Sequence, residues 1–365
     1  MRLFIVSSVY QFINALTVQL NDRSVPSDIL CVMSLLDNTF DLEKFREEKI
    51  FEKVYVWTGE IERFHMDAKN KKEAITNAVK KVSLALGKKK LLSELPALNK
   101  HYDEICISYP DYPSRLACHA LKDKDTACTL LEDGTFTYDF FAQKQSALKA
   151  TAFKLLVGSD VIPDIKKIYV YRPEMLRLGE HKAEVVKIRS ELDELGAIIR
   201  RVYKHELPQI DLIDKPVIMF DQNVEDEVVT SNQCAVAKAV TRVLGEDSFV
   251  VKMHPHSKVN PYDESIAVYK AKCPFEILMS ALNMENKVLI SLLSTACMNP
   301  KMILDAEPTV IFTVKLSGVE RSSLYNEGML KLLESFKSSY RDPEKIYIPE
   351  SFEELDEILQ KIKIG

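Results

Sequence analysis

Two adjacent carboxylates followed by a glycine are the first residues of the chain whose types suggest chemistry. Glu132, Asp133 and Gly134 come directly after an apolar run at 127–131. Two carboxylates at the end of a buried strand repel each other and lose water, which raises the pKa of one of them. Such a carboxylate can accept the proton of an incoming hydroxyl, so the pair suggests a general base. A turn made by Asp-Gly between strands is the alternative interpretation.

A lysine, a histidine and a proline follow a later apolar run. Lys252 closes the run at 249–252, and His254 and Pro255 come next. A cation and an imidazole held at one position can stabilise or protonate a phosphate that leaves with negative charge. Pro255 restricts the backbone of His254 to an extended conformation, which aims the ring. A loop dipeptide without function remains the alternative.

Hydroxyl groups and a further carboxylate precede two predicted helices of the second half. Ser294 and Thr295 follow the apolar run at 288–291, where helix N-terminal amides and two hydroxyls would bind phosphate oxygens. Glu276 comes early in a helix that starts at Pro274, where it can accept from two ribose hydroxyls. Helix capping and compensation of the helix dipole are the alternative roles.

Neutral polar side chains follow the first apolar run, at 3–6. They can offer hydrogen bonds to a sugar at the carboxyl end of a strand, and they are Ser7, Ser8, Gln11 and Asn14. An ordinary N-cap by Ser7 or Ser8 explains the same pattern.

Apolar runs alternate with helical periodicity along the whole chain, which predicts a layered α/β fold with mostly parallel strands. The predicted strands are 3–6, 28–33, 53–56, 104–107, 127–131, 167–171, 217–220, 249–252, 288–291 and 309–313. The predicted helices are 10–20, 112–121, 146–157, 182–203, 234–244, 274–282, 295–303 and 351–362.

The length of 365 residues exceeds what one hydrophobic core usually serves, so two domains are expected. Pro208 and Pro216 interrupt the helical pattern, and we place the boundary there. The expected domains are Rossmann-like and span 1–210 and 211–345, with a strand end and helix at 346–365 packing back on them. Two successive doubly wound units facing across a cleft form the architecture called GT-B.

Composition excludes some classes of partner and site. A net charge of −5 argues against a nucleic-acid partner, because binding phosphates needs an excess of Lys and Arg. The seven cysteines are scattered and include no Cys-x-x-Cys, so neither a disulfide framework nor a zinc site is expected, and a reducing cytoplasm fits. The first apolar run is too short for a signal peptide or a membrane span.

Lysines are concentrated between residues 69 and 90, where eight of them accompany a single acid, Glu73. Apolar residues are interleaved with them, as in an interfacial helix that would hold the protein peripherally at the inner face of the plasma membrane. A solvated helix face with snorkelling lysines is the more frequent cause of such a run.

The order of these motifs resembles the bacterial sialyltransferases. Those enzymes share an acidic pair followed by Gly, then a His-Pro, then a Ser-Ser or Ser-Thr, which correspond here to 132–134, 254–255 and 294–295. The opening SSVYQFINAL is most similar to glycosyltransferase family 52, the lipooligosaccharide and capsule sialyltransferases.

The resemblance implies an inverting, metal-independent transfer of sialic acid from CMP-sialic acid to a galactoside-type hydroxyl of a bacterial surface glycan, without a cofactor. Asp133 would be the base with Glu132 beside it, and His254 would assist the leaving phosphate with Lys252, Ser294 and Thr295. Glu276 would hold the ribose, and Ser8, Gln11, Gly134 and Pro255 complete the expected ligand-binding set. The first domain would take the acceptor and the second the CMP-sugar, and a homodimer is implied.

Three alternatives remain open at this stage. Asp221 and the cluster at 225–227, with Asp226, follow the strand at 217–220 and are an alternative source of the base. The donor could be another CMP-linked keto-sugar, because the phosphate-binding residues would be the same. A non-catalytic nucleotide-binding protein of a polysaccharide pathway is the third. The acceptor and the linkage are not readable from the sequence.

Overall fold

The computed structural model describes most of the chain. The described residues are 1–32, 40–57, 76, 79, 95–108, 112–121, 125–141, 164–189, 192–203, 210–222, 227–254, 257, 259–271, 273–316 and 327–364. They divide into two compact units, Met1–Lys204 and His205–Gly365. Each unit is built around one parallel β-sheet.

The first unit contains a seven-stranded sheet. Its strands are β1 (Arg2–Val6), β2 (Ser27–Val32), β3 (Lys53–Trp57), β4 (Glu104–Ile107), β5 (Ala127–Leu131), β6 (Ile165–Val170) and β7 (Glu184–Lys187). They lie in the order β3-β2-β1-β4-β5-β6-β7, and every pairing is parallel. The central strand β1 is buried throughout, as expected for a parallel sheet covered on both faces.

Helices connect the strands of the first unit. They are α1 (Val9–Asn21), α2 (Leu42–Glu47), α3 (Tyr112–Leu121), α4 (Thr135–Asp139) and α5 (Leu192–Val202), with short 3₁₀ helices at Pro96–Asn99 and Pro173–Met175. Helix α1 begins at its N-cap Ser8, whose side chain accepts from the amide of Gln11. The chain therefore turns into a helix directly after β1.

The second unit contains a six-stranded parallel sheet. Its strands are β8 (Val217–Phe220), β9 (Phe249–Lys252), β10 (Val268–Tyr269), β11 (Val288–Ser291), β12 (Thr309–Phe312) and β13 (Ile346–Tyr347). They lie in the order β10-β9-β8-β11-β12-β13. Numbered within the unit this is 3-2-1-4-5-6, the strand order of dinucleotide-binding doubly wound folds.

The helices of the second unit are α6 (Ile210–Ile213), α7 (Glu227–Leu244), α8 (Phe275–Leu278), α9 (Asn299–Leu304), α10 (Glu327–Ser338) and α11 (Phe352–Ile364), with 3₁₀ helices between several of them. Helices α7 and α11 contact each other and share one buried apolar cluster with the sheet. The C-terminal strand and helix therefore belong to this unit, where β13 pairs with β12.

The predicted α/β class with two parallel sheets is confirmed, and several strands have the predicted bounds. One predicted helix is wrong. The charged pattern at 182–203 contains β7 before α5, and β7 pairs with β6, so the strand predicted at 167–171 does not close the sheet. The adjacent valines Val185 and Val186 favour a strand because β-branched side chains pack well on a sheet.

Two helices predicted in the second unit are shorter than expected. The pattern at 274–282 forms α8 and then a 3₁₀ helix at Met279–Ala281, and the pattern at 295–303 forms a 3₁₀ helix at Thr295–Cys297 before α9. Pro300 explains the second break, because a proline cannot continue a helix from the preceding turn. The helix predicted at 146–157 lies outside the described residues, as does the lysine-rich stretch except Thr76 and Val79.

Among the helices that the structure describes, none has the length and apolar composition needed to cross a membrane.

Candidate functional site

Each sheet has a point where the strand order reverses, and ligands of doubly wound folds bind at the carboxyl ends of strands near this point. In the first unit the reversal lies between β1 and β4, and in the second between β8 and β11. The predicted motifs follow β1 and β5 in the first unit and β8, β9 and β11 in the second. Each unit therefore carries its own cluster of polar residues at a carboxyl edge.

Glu132 is completely buried at the end of β5. Its Oε1 accepts a hydrogen bond from the Tyr10 hydroxyl at 2.9 Å, and its Oε2 accepts from the Tyr138 hydroxyl and from the Tyr171 amide, the latter at 2.7 Å. Burial raises the pKa of Glu132 to about 7; the three donors oppose this rise, and the charge of Asp133 adds to it. Glu132 is thus held by neutral donors.

Asp133 is partly exposed beside it. Its Oδ2 accepts from the side-chain amide of Gln11 at 3.1 Å, and its backbone amide donates to the Thr137 hydroxyl at 2.7 Å. Of the two predicted carboxylates, Asp133 is the one that solvent reaches. The sequence predicted that burial would perturb one member of the pair, and that member is Glu132.

Gly134 forms the turn between the acidic pair and helix α4. Its φ of 62° and ψ of −148° lie in a region that is essentially restricted to glycine, because a Cβ would collide with the backbone. Helix α4 starts immediately afterwards and brings Tyr138 back to Glu132. A side chain at this position would therefore disturb the partners of both carboxylates.

The polar residues after β1 hold the acidic pair. The Asn14 amide donates to the backbone carbonyl of Glu132 at 2.9 Å and accepts from the Tyr171 hydroxyl at 2.9 Å. The Gln11 carbonyl accepts from the Ser7 amide at 2.8 Å while its NH₂ group reaches Asp133. The first and second sequence motifs therefore meet, and these side chains, predicted to face a sugar, make contacts within the protein.

Asp221 organises the loop that carries His254 in the second unit. Its Oδ2 accepts from the His254 amide at 3.3 Å and from the Ser257 hydroxyl at 2.6 Å, and its Oδ1 accepts from the Tyr262 hydroxyl at 2.8 Å. Asp221 is buried, whereas His254 is partly exposed. The carboxylate considered as an alternative base is thus engaged in positioning the histidine loop.

Lys252 and Glu276 lie near each other at the edge of the same sheet. Lys252 is only 4% exposed, and burial lowers its pKa, against the opposing charge of Glu276. Burial raises the pKa of Glu276, and its Oε1 accepts from the Asn299 side-chain amide at 2.7 Å. The Lys252 ammonium also lies 5.9 Å from the centre of the Tyr269 ring. The charges of Lys252 and Glu276 therefore stabilise each other, while burial shifts the pKa of each group toward its neutral form.

Ser294 and Thr295 lie in the turn after β11. Ser294 caps the 3₁₀ helix at Thr295–Cys297 through the Ala296 amide, at 3.2 Å. A helix of this length has little macrodipole, so phosphate binding here would depend on amides and hydroxyls. The turn is supported by Gln222, whose side-chain Oε1 accepts from the Leu293 amide at 2.8 Å.

Several residues of these clusters were not predicted from the sequence. They are Tyr10, Tyr138 and Tyr171 around Glu132, Asn299 beside Glu276, and the pair Gln222 and Gln233, which bond each other through side chain and backbone. Tyr171 directly follows β6 and Gln222 lies two residues after β8, so their positions after buried strands were usable signals. Pro255 and the alternative base Asp226 lie outside the described residues.

A family model described as alpha-2,8-polysialyltransferase (POLYST) matches residues 2–311. The chain belongs to this family. Membership confirms the predicted relation to sialyltransferases at the level of a sialyltransferase family, and the chain is a glycosyltransferase. The narrower placement in glycosyltransferase family 52 stays a prediction. No curated protein sequence matches the chain significantly.

Solved structures share the fold. A putative UDP-N-acetylglucosamine 2-epimerase from Listeria monocytogenes has a TM-score of 0.55 at 10% identity, over 100% of this chain and 88% of its own. The glycotransferase of kitacinnamycin has a TM-score of 0.51 at 8% identity, over 100% of this chain and 91% of its own. At these identities the likeness concerns the fold, which is of the GT-B type.

Proposed function

We propose that the chain is an inverting sialyltransferase that transfers sialic acid from CMP-sialic acid to a glycan hydroxyl. The family description supports a terminal sialic acid, through its 8-hydroxyl, as the acceptor. The galactoside acceptor implied by the lipooligosaccharide resemblance is the competing choice. The observation that carries the proposal is the acidic pair, in which a buried glutamate held by neutral donors adjoins a partly exposed aspartate that accepts from Gln11.

Asp133 is the proposed general base. The acceptor oxygen attacks the anomeric carbon, its proton passes to the Asp133 carboxylate, and the bond from that carbon to the CMP phosphate oxygen breaks with its electron pair leaving on CMP. A single displacement of this kind inverts the anomeric centre and forms no covalent enzyme intermediate. Positioned bases contribute about 10²- to 10⁴-fold to such steps.

Glu132 and Gln11 are proposed as positioning residues. Glu132 is enclosed by two phenols and a backbone amide, so substrate does not touch it. Gln11 donates to Asp133 and is itself held by the amide of Ser7. Gln11 thereby orients the Asp133 carboxylate through its Oδ2 atom.

The second unit is proposed to bind CMP. His254, on a loop organised by Asp221, stabilises or protonates the departing phosphate, and Lys252 contributes positive charge. Glu276, with one oxygen already bound to Asn299, accepts from ribose hydroxyls through the other. Ser294 and Thr295 offer hydroxyls to the phosphate. The reaction requires no metal and no further cofactor.

A donor and acceptor panel tests this function. We expect the purified chain to release CMP from CMP-sialic acid with an oligosialic acid acceptor, at an undiminished rate in EDTA. Release only from a different CMP-linked keto-sugar, or no release with oligosialic, galactoside and lactose acceptors, would contradict the proposal. Release with galactosides but not with oligosialic acid would retain the donor and change the acceptor.

A further inference from the structure

A cavity of about 240 Å³ lies in the first unit, away from the acidic pair. It is lined by the first residue of β1, by the last turn of α1 and by strands β6 and β7. Asn21, at the end of α1, is ten residues from Gln11, which corresponds to about 15 Å along a helix. The cavity is therefore separate from the proposed catalytic groups.

Arg2 lines this cavity and is only 2% exposed. One guanidinium nitrogen, Nη2, donates to the backbone carbonyl of Asp22 at 2.9 Å, and Nη1 lies 3.4 Å from the Tyr169 hydroxyl. Its Nε–H is buried and has no hydrogen-bond acceptor among the described residues. Leaving a donor of a buried charged group without an acceptor is costly, so the Arg2 guanidinium is incompletely paired within the described part of the chain.

Tyr169 provides a second donor at the same place. Its side chain is 9% exposed and lines the cavity, and its hydroxyl oxygen accepts from Arg2. Within the described part of the chain no acceptor is found for the hydroxyl proton. Two neighbouring donors, one cationic and one neutral, thus lie at one wall of the cavity without acceptors. A planar carboxylate can accept from both.

The charge around the cavity favours an anion. Lys187 and Arg189 line it, are exposed, and have no acidic partner within the described residues. Asp22 is the one acid of the lining, and it is already bonded to Arg2 and to the Ser24 hydroxyl. Three cations therefore oppose one carboxylate, and the carbonyl end of α1 offsets only part of this excess.

We propose that this cavity is a binding site for a small organic carboxylate. The carboxylate would accept from Arg2 and Tyr169, and the apolar part of the ligand would contact Val18, Val186 and Ile188, which line the remaining wall. The volume of about 240 Å³ suits one small molecule, since it lies below the range of about 300–1,000 Å³ that holds drug-sized ligands. The exposed Lys187 and Arg189 would attract the anion to the entrance.

Isothermal titration of the whole chain with three probes tests the proposal. 4-Methylpentanoate carries the carboxylate on an apolar chain, 4-methylpentanamide is its neutral counterpart, and inorganic phosphate is an anion of different shape. We expect binding of 4-methylpentanoate at least tenfold tighter than of either other probe. Equal binding of the neutral amide, tighter binding of phosphate, or no binding at millimolar concentration would overturn the proposal.

Variants locate the bound probe. Val186→Phe fills the cavity and should weaken 4-methylpentanoate binding at least tenfold, whereas Val185→Phe, on the opposite face of β7, should leave it unchanged. Arg189→Gln should weaken it about threefold. Asp133→Asn should not affect it, because the proposed base lies elsewhere. Binding that survives Val186→Phe, or that is lost in Asp133→Asn, would place the probe outside this cavity and overturn the proposal.

Discussion

The two units share the strand order 3-2-1-4-5-6, which the first unit extends by β7, but they differ in the charge that they place at the carboxyl edge. In the first unit the edge carries Glu132, which two phenols and a backbone amide hold, and Asp133, to which the Gln11 side chain donates. In the second unit it carries Lys252 and His254. The strand order places polar residues at the carboxyl edge of each sheet. The types of the few residues after each strand determine whether that edge carries a general base or binds a phosphate.

The pKa values of the buried ionisable groups also differ between the two units. Burial raises the pKa of Glu132 to about 7 and lowers the pKa of Lys252, so both groups are moved toward their neutral forms. Glu307 in the second unit is equally buried, but Lys301 and Arg341 outweigh its burial and hold its pKa at about 2. A buried carboxylate with cationic partners, such as Glu307, stays ionised at neutral pH. A buried carboxylate with neutral donors, such as Glu132, has a pKa near neutrality and can gain or lose a proton there.

Removing the proposed base should give the largest effect. We expect Asp133→Asn to reduce kcat about 10⁴-fold, because the isosteric amide cannot accept the acceptor proton. CMP binding should be unchanged, since it is assigned to the other unit. Steady-state kinetics and CMP titration measure the two quantities. Asp164→Asn, at an exposed aspartate of the same unit, is the control, and equal activity of both variants would remove Asp133 from the mechanism.

Removing the imidazole should have the next largest effect. We expect His254→Ala to reduce kcat about 10³-fold through loss of stabilisation at the departing phosphate. His101→Ala, at an exposed histidine of the first unit, should have no effect. Rates of CMP release measure both. A His254→Ala enzyme of normal rate would leave the second unit without its assigned catalytic group.

The raised pKa of Glu132 should make the free energy of unfolding depend on pH. The pKa of the Glu132 carboxyl is 4.5 in the unfolded chain and about 7 in the folded protein, so the carboxyl stays protonated to a higher pH when the protein is folded. Its stabilising contribution is complete below about pH 4.5, is lost as pH rises toward 7 and is constant above that, a change of about 3 kcal/mol. Urea unfolding between these pH values should show the decline.

Glu132→Gln is the variant that checks this assignment, because glutamine keeps the shape and does not titrate. In Glu132→Gln the decline in the free energy of unfolding between pH 4.5 and 7 should be smaller by about 3 kcal/mol than in the wild type. Glu184→Gln, at an exposed glutamate, should behave like the wild type. A Glu132→Gln protein with the wild-type pH dependence would show that Glu132 does not titrate in this range.

The smallest effect is expected at Gln11. Gln11→Ala removes the donor to Asp133 and should lower kcat about tenfold while KM for the donor sugar stays the same, because Gln11 acts through Asp133. Gln11→Glu, which cannot donate and repels Asp133, should be worse than alanine. Kinetics of the two variants test the order. A change confined to KM would indicate that Gln11 contacts substrate instead.

The sequence predicted the strand-end positions well because buried parallel strands read as short apolar runs. This applies to β5, β8, β9 and β11, which carry the predicted motifs. The prediction of strands from apolar runs missed β10 and β13, which have two residues each and therefore no periodicity. It also missed β7, whose valines lie within a charged segment. Short strands are set by tertiary pairing, which local pattern does not report.

The surroundings of the acidic pair could not be predicted. Tyr10, Tyr138 and Tyr171 are far apart in the sequence and converge on Glu132 only when α1, α4 and β6 are assembled. The sequence therefore indicated that one carboxylate would be perturbed without indicating which one. In the same way Asp221 reads as a member of an acidic cluster, and its three donors become visible only in the folded unit.

The stereochemistry of transfer tests the central claim most directly. NMR of the chain incubated with CMP-sialic acid and an oligosialic acid acceptor should show free CMP and a new glycosidic linkage in equal amounts, with the anomeric configuration opposite to that of the donor. Retention of configuration would contradict a single back-side displacement assisted by Asp133. Absence of both CMP and linkage would contradict the sialyltransferase assignment itself.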